Sequence, residues 1–274
     1  MKKFFTLLIT SILALSSCSK AEIPQLVPEK KMAMKAFKPI PRDFMPRKLT
    51  IVSIGDSLTE GVGDSTDKGG YLPYLKKMLE KEKGISQVNF YNYGVKGNRT
   101  TQLIKRLQSN EIRYTLKSAD IVILTIGGND IMKVVKDNIS NLQVSDFSNE
   151  KTLFIQHLRQ IFDTINQENP SASIVLVGLY NPFMKWFSDV DELNQIVAEW
   201  NEASQSVVLN YEHAYFVEIE DIFDQSKENL LFTDNFHPND KGYELIATRL
   251  QDSLGDRAIP DLEKNPLTVS KEEN

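Results

Sequence analysis

Five apolar runs constrain this chain more than anything else in it: Leu49–Ile54, Val88–Tyr93, Ile121–Ile126, Ile174–Leu179 and Tyr215–Ile219. They are rich in Val and Ile and mostly unbroken, whereas a strand with one wet face would alternate apolar and polar residues. Segments of helical periodicity separate them. Tyr71–Lys83 carries Leu72, Leu75 and Leu79 on one face, Thr100–Gln108 carries Leu103, Ile104 and Leu107, and Thr152–Asn166 carries Leu153, Leu158, Ile161 and Ile165. Glu192–Leu209 and Asp240–Ser253 complete the set. Strands alternating with helices imply parallel strands joined by right-handed crossovers. The expected architecture is α/β, a three-layer α/β/α sandwich around a five-stranded parallel sheet, whose ligands bind beyond the carboxyl ends of the strands.

That rule gives meaning to where the polar motifs fall. Gly55-Asp56-Ser57-Leu58 follows the first run, Gly94 the second, and Gly127-Gly128-Asn129-Asp130 the third, so all three are expected on one edge of the sheet. A fourth motif, Asp234-Asn235-Phe236-His237-Pro238, precedes the last helical segment. Ser57 is a weak nucleophile unless a base takes its proton, and a serine in this position also suits a helix N-cap. Of the three histidines, His157 lies in a helical pattern and His213 just before the fifth run, where packing or surface roles suffice. His237 differs because Asp234 precedes it by three residues, close enough for a carboxylate to orient one ring nitrogen. The same pair also fits a helix cap beside a surface histidine. Asn129 and Gly94 suit turns, and with the Ser57 N–H they also supply three donors for a developing oxyanion. Asp56, Asp130 and Arg99 read as residues that hold turns.

Taken in order, the four blocks resemble the SGNH hydrolases, the GDSL esterase/lipase family; the second block runs from Gly94 through Gly97-Asn98-Arg99-Thr100. The resemblance covers Leu49 to Ser253 and implies the family's flavodoxin-like sandwich. It implies Ser57 as nucleophile, Gly94 and Asn129 in the oxyanion hole, His237 as base and then acid, and Asp234 as its orienting group. It further implies hydrolysis of carboxylic esters (short or medium acyl esters, lysophospholipids or thioesters) without metal or organic cofactor. Acetyl esters of envelope glycans, and a catalytically idle ligand-binding protein, are the alternatives. Gly178-Leu179-Tyr180-Asn181-Pro182 is similar to a stretch in lipid-anchored members. After it, Phe183, Met184, Trp186 and Phe187 either line an acyl pocket or pack over the sheet edge. Ile131–Asn149 reads as a loop shaping access.

The start of the chain speaks to location. Met1-Lys2-Lys3, an apolar run from Phe4 to Leu15 and small residues before Cys18 make a secretory signal, with a run too short to span a membrane. Leu15-Ser16-Ser17-Cys18 resembles the lipoprotein signal, which implies cleavage before Cys18 and lipidation of its thiol. Cys18 is the one cysteine, so no intrachain disulfide forms. The expected division is Met1–Ser17 as signal, Cys18–Lys48 as proline-broken tether, Leu49–Gly255 as catalytic domain and Asp256–Asn274 as polar tail. Lys20–Lys48 holds eight basic and three acidic residues, whereas the chain from Leu49 onward carries a net charge of −12. A basic tether lies against anionic lipid or is simply solvated; an acidic domain argues against nucleic acid as partner. The expectation is an extracytoplasmic protein held at the bacterial cell membrane.

Overall fold

The computed structural model describes residues 46–182 and 191–259. The chain divides into two units, Met1–Phe44 and Met45–Asn274. The first unit, with Cys18, lies outside the described residues, as do Phe183, Met184, Trp186 and Phe187.

Five parallel strands form one sheet: β1 (Arg47–Gly55), β2 (Ile85–Gly94), β3 (Ile121–Thr125), β4 (Ser173–Val177) and β5 (Ala214–Val217), in the order β2-β1-β3-β4-β5. β3 and β4 are buried along their whole length, as their continuous Val/Ile composition requires. Alternation then assigns each side chain to a layer. Leu49, Ile51, Ile121, Ile123, Val175 and Val177 enter one core, and Val52, Ile54, Val122, Leu124, Ile174 and Leu176 enter the other.

Helices cover both faces. α1 (Ser57–Glu60) follows β1, and α2 (Leu72–Leu79) leads to β2. α3 (Thr100–Arg106) and α4 (Asn110–Leu116) lead to β3. α5 (Gly128–Asp137) and α6 (Val144–Glu168) connect β3 to β4. α7 (Asp191–Val208) precedes β5, and α8 (Glu220–Asp224) and α9 (Asp240–Ser253) follow it. α2 and α9 pack on the Ile51 face through Leu75, Leu79, Tyr243, Ile246 and Leu250. α3 to α7 cover the other, where Phe154 stacks on Trp200 at 4.7 Å between ring centroids. No helix among the described residues is long and apolar enough to cross a membrane.

The segment 131–149 corrects the sequence-based expectation. It is not an open loop: α5 occupies its start and α6 begins at Val144. Ile131 and Val134 bury the inner side of α5, an amphipathic pattern masked in sequence by its Gly-Gly-Asn-Asp opening.

The strand order places β1 between β2 and β3, so the chain reverses its direction of travel across the sheet after β2. The carboxyl ends of β1 and β3 therefore flank a crevice that no crossover covers. Ser57 follows the first of these strands and Asn129 the second.

Candidate active site

The crevice is built from the end of β1. Gly55 has φ +154°, and a side chain there would run into the Thr125 carbonyl oxygen of β3. Only glycine lets the two strand ends approach this closely. The Asp56 N–H then donates to Thr125 O at 3.1 Å, and the Asp56 carboxylate caps α1 by accepting from the Leu58 N–H at 3.1 Å. Thr125 Oγ1 donates to the same carboxylate oxygen at 3.0 Å. Ser57 is the first residue of α1 and is buried. Asp56 thus holds the turn that presents Ser57, the structural role read for it in the sequence.

Against Ser57 stands His237, whose Nε2 lies 2.9 Å from Ser57 Oγ across 180 positions of sequence. Its Nδ1 lies 2.6 Å from Asp234 Oδ2. The other carboxylate oxygen accepts the Phe236 and His237 backbone N–H groups, both at 3.0 Å. Asn235, at φ +53°, makes the tight turn that brings acid and imidazole together. Burial works to raise the Asp234 carboxyl, but its hydrogen bonds from the His237 ring, the His237 N–H and the Phe236 N–H outweigh burial and hold it below the ordinary range. An ionised Asp234 fixes the hydrogen on Nδ1, which leaves Nε2 free to accept the Ser57 proton. Pro238 pairs with Leu231 as a bridge, and Asn239 is the N-cap of α9.

Asn129 is the second residue of α5 and lines the same cavity as Ser57 and His237. Its side-chain amide donates one hydrogen to Asn98 O at 3.0 Å, and an amide nitrogen carries a second. Asp130, next along, accepts Thr100 N–H and Thr100 Oγ1–H, the latter at 2.6 Å. These bonds fasten the 98–100 segment to the head of α5. His157, set aside in the sequence, reaches the same cluster through Nδ1, 3.1 Å from Thr100 Oγ1.

Gly94 is a correction. Its N–H donates to Asn92 Oδ1 at 2.8 Å, so its hydrogen is spent, and a side chain there would strike the backbone of Glu60 in α1. Gly94 seals β2 against α1. Gly97 has the properties expected of a donor: φ +77°, an exposed position beside Asn98, and an N–H with no partner among the described residues.

Arg106 was missed in the sequence reading. Its guanidinium donates to Gly55 O at 3.3 Å, Asn98 Oδ1 at 3.2 Å and Tyr93 O at 2.7 Å, tying the ends of β1 and β2 to the Asn98 turn. An arginine in an amphipathic helix reads as a solvated charge, and only the tertiary structure turns it inward. Tyr180 was likewise named only as part of a motif. It donates to Phe236 O at 2.7 Å and stacks on Phe223 at 4.0 Å, bracing the loop that carries His237.

Comparison with known proteins follows this geometry. The sequence profile of the GDSL-like Lipase/Acylhydrolase family matches residues 53–245. An uncharacterized protein of Bacillus subtilis, YpmR, is 32% identical over 260 residues, covering 94% of this chain and 98% of its own. The structure is similar to the lipase Lip_vut3 from a goat rumen metagenome, at a TM-score of 0.68 and 20% identity over 75% of this chain and 97% of that one. It is also similar to a variant of an acetyl-xylooligosaccharide esterase from Geobacillus stearothermophilus, at a TM-score of 0.59 and 18% identity over 77% and 97%. At such identities the two structures speak for the fold and not for a shared substrate. The profile spans all four motifs up to and beyond His237, and on that ground the chain belongs to the GDSL-like lipase/acylhydrolase family, a hydrolase acting on esters.

Proposed function

We propose that this protein cleaves carboxylic esters through an acyl-enzyme on Ser57. As Ser57 Oγ attacks the ester carbonyl, His237 Nε2 takes its proton, and Asp234 steadies the imidazolium that forms. The carbonyl oxygen becomes an oxyanion held by the Ser57 N–H, the Gly97 N–H and the Asn129 amide. When the tetrahedral species collapses, the ester C–O bond breaks and His237 returns the proton to the departing alcohol. Water then enters and attacks the acyl carbon as His237 takes its proton; the bond to Ser57 Oγ breaks, His237 returns the proton to Oγ, and the acid is released. The observation carrying this reading is the 2.9 Å approach of Ser57 Oγ to His237 Nε2, with Asp234 at 2.6 Å on the opposite nitrogen. A fluorophosphonate probe tests it. Labelling at Ser57 in the folded protein, lost in His237→Ala, is the expected result; an unlabelled Ser57 would leave a ligand-binding protein on the same scaffold.

The same reading places the enzyme outside the cytoplasm, tethered through a lipidated Cys18. It rests on the basic, apolar and small-residue order of residues 1–18. Cys18→Ser is expected to shift the protein from the membrane fraction to the soluble one, and retention in the membrane would overturn the anchor.

A further inference from the structure

We infer that the enzyme prefers medium-length, unbranched acyl chains over acetyl groups, and that the acyl chain occupies a cavity between α5 and α7. The inference rests on the serine-hydrolase reading above and adds the substrate class. A cleft starts at Ser57, Asn129 and His237. From there it continues along Ile131, Met132 and Val135 of α5 and Leu193, Ile196 and Val197 of α7. On each helix these residues recur at three- and four-residue spacing, so each helix presents one apolar stripe to the space between them. The ionisable lining groups among the described residues are Asp56 and His237, at the Ser57 end, and Tyr180, whose hydroxyl donates to Phe236 O beside His237. Among the described residues, the α5 and α7 side chains that line the cavity are apolar, and the polar Asn181 beside them already donates to Asn194 Oδ1 of α7, so this stretch suits a hydrocarbon better than a sugar.

The cavity suits the acyl half of the ester and not the alcohol half. The alcohol departs where His237 Nε2 delivers a proton, and the attacking water enters at the same place, so that side must open to solvent. The acyl chain stays attached to Ser57 Oγ through both steps and gains from a dry chamber. Depth follows from the helix. Asn129 to Val135 spans six residues, about 9 Å at 1.5 Å of rise each. A zigzag chain with C–C bonds of about 1.5 Å advances about 1.25 Å per carbon, so about seven carbons reach Val135. Val135 therefore stands at the far end of the α5 wall and measures chain length, with Met132 lining the middle.

The test uses the purified full-length protein and p-nitrophenyl esters from acetate through butyrate, hexanoate and octanoate to dodecanoate. From acetate to octanoate six methylenes are added, each worth about fourfold when fully buried, so kcat/KM is expected to rise at least about 100-fold and up to about 4 × 10³-fold. Beyond octanoate it levels or falls. Val135→Phe shortens the chamber and lowers the octanoate-to-acetate ratio at least about tenfold, while Val135→Ala moves the optimum to longer chains. If the phenylalanine variant does not fold, the alanine variant decides. Turnover that is highest on acetate, or a chain-length profile unmoved by both variants, would overturn the inference and leave the serine hydrolase intact. No turnover on any ester would overturn that reading and this inference with it.

Discussion

Asp56→Asn removes a titrating group from beneath the nucleophile while keeping its shape. Burial is the largest influence on Asp56. Opposed by the Leu58 N–H and the Thr125 hydroxyl and reinforced by nearby Asp130, it lifts the carboxyl from an ordinary value of 3.8 to about 7. The folded chain therefore holds this proton more tightly than the unfolded chain does. Stability from the group is fully present below the unfolded value and is lost as pH rises through the folded one. A tenfold difference in proton affinity is worth about 1.4 kcal/mol, so the gap from 3.8 to about 7 corresponds to about 4 kcal/mol. Urea unfolding of both proteins from about pH 4 to about pH 8 reads this directly. Wild type is expected to lose about 3–4 kcal/mol relative to Asp56→Asn across that range. A constant offset from the amide's own hydrogen bonds is immaterial, because only the change with pH counts, and groups common to both proteins cancel. Parallel profiles would refute the claim that Asp56 is buried and uncharged on the acid side of neutrality.

Asp234→Asn should lower kcat by about 10² to 10⁴, because the amide no longer fixes the His237 hydrogen on Nδ1; stopped assays against wild type read this, and an unchanged kcat would remove Asp234 from the mechanism. In wild type the contribution of Asp234 to stability is present above the ordinary carboxylate range and is lost as pH falls below it, so acid unfolding of Asp234→Asn should show a shallower acid limb. Gly97→Ala, strained at φ +77°, should reduce kcat by up to about 10²–10³ with little change in KM, which an unmoved kcat would contradict. Trp200→Ala, emptying a site 1% exposed and stacked on Phe154, should cost about 3–5 kcal/mol in chemical denaturation.

The sheet was legible because strands buried on both faces leave continuous Val/Ile runs, and because ligands in such sheets gather at one edge. Ser57, Asn129, Asp234 and His237 stood out since their types and order suit one chemistry. The expectation of Gly94 in the oxyanion hole failed for a local reason. Gly94 lies at the strand end, but Asn92, two residues earlier, takes its hydrogen in a local Asx-type bond that nothing in the Gly-rich block itself signals. α5 was hidden by its opening glycines and its modest number of apolar residues, so the wall containing Ile131, Met132 and Val135 was missed. Arg106 looked like a surface charge until three carbonyl or amide oxygens from separate segments converged on it.

Acid and imidazole share one short segment, closed at its base by the Leu231–Pro238 bridge and by the Phe232 N–H to His237 O bond at 2.7 Å. They travel as a unit, and what must be aligned with it is a single hydroxyl on the far side of the crevice. A small opening of this loop would disarm the enzyme while leaving the Asp234–His237 pair intact and both cores dry. Warming should then silence turnover before the cores melt, and cooling should restore it, since nothing more than one hinge has swung.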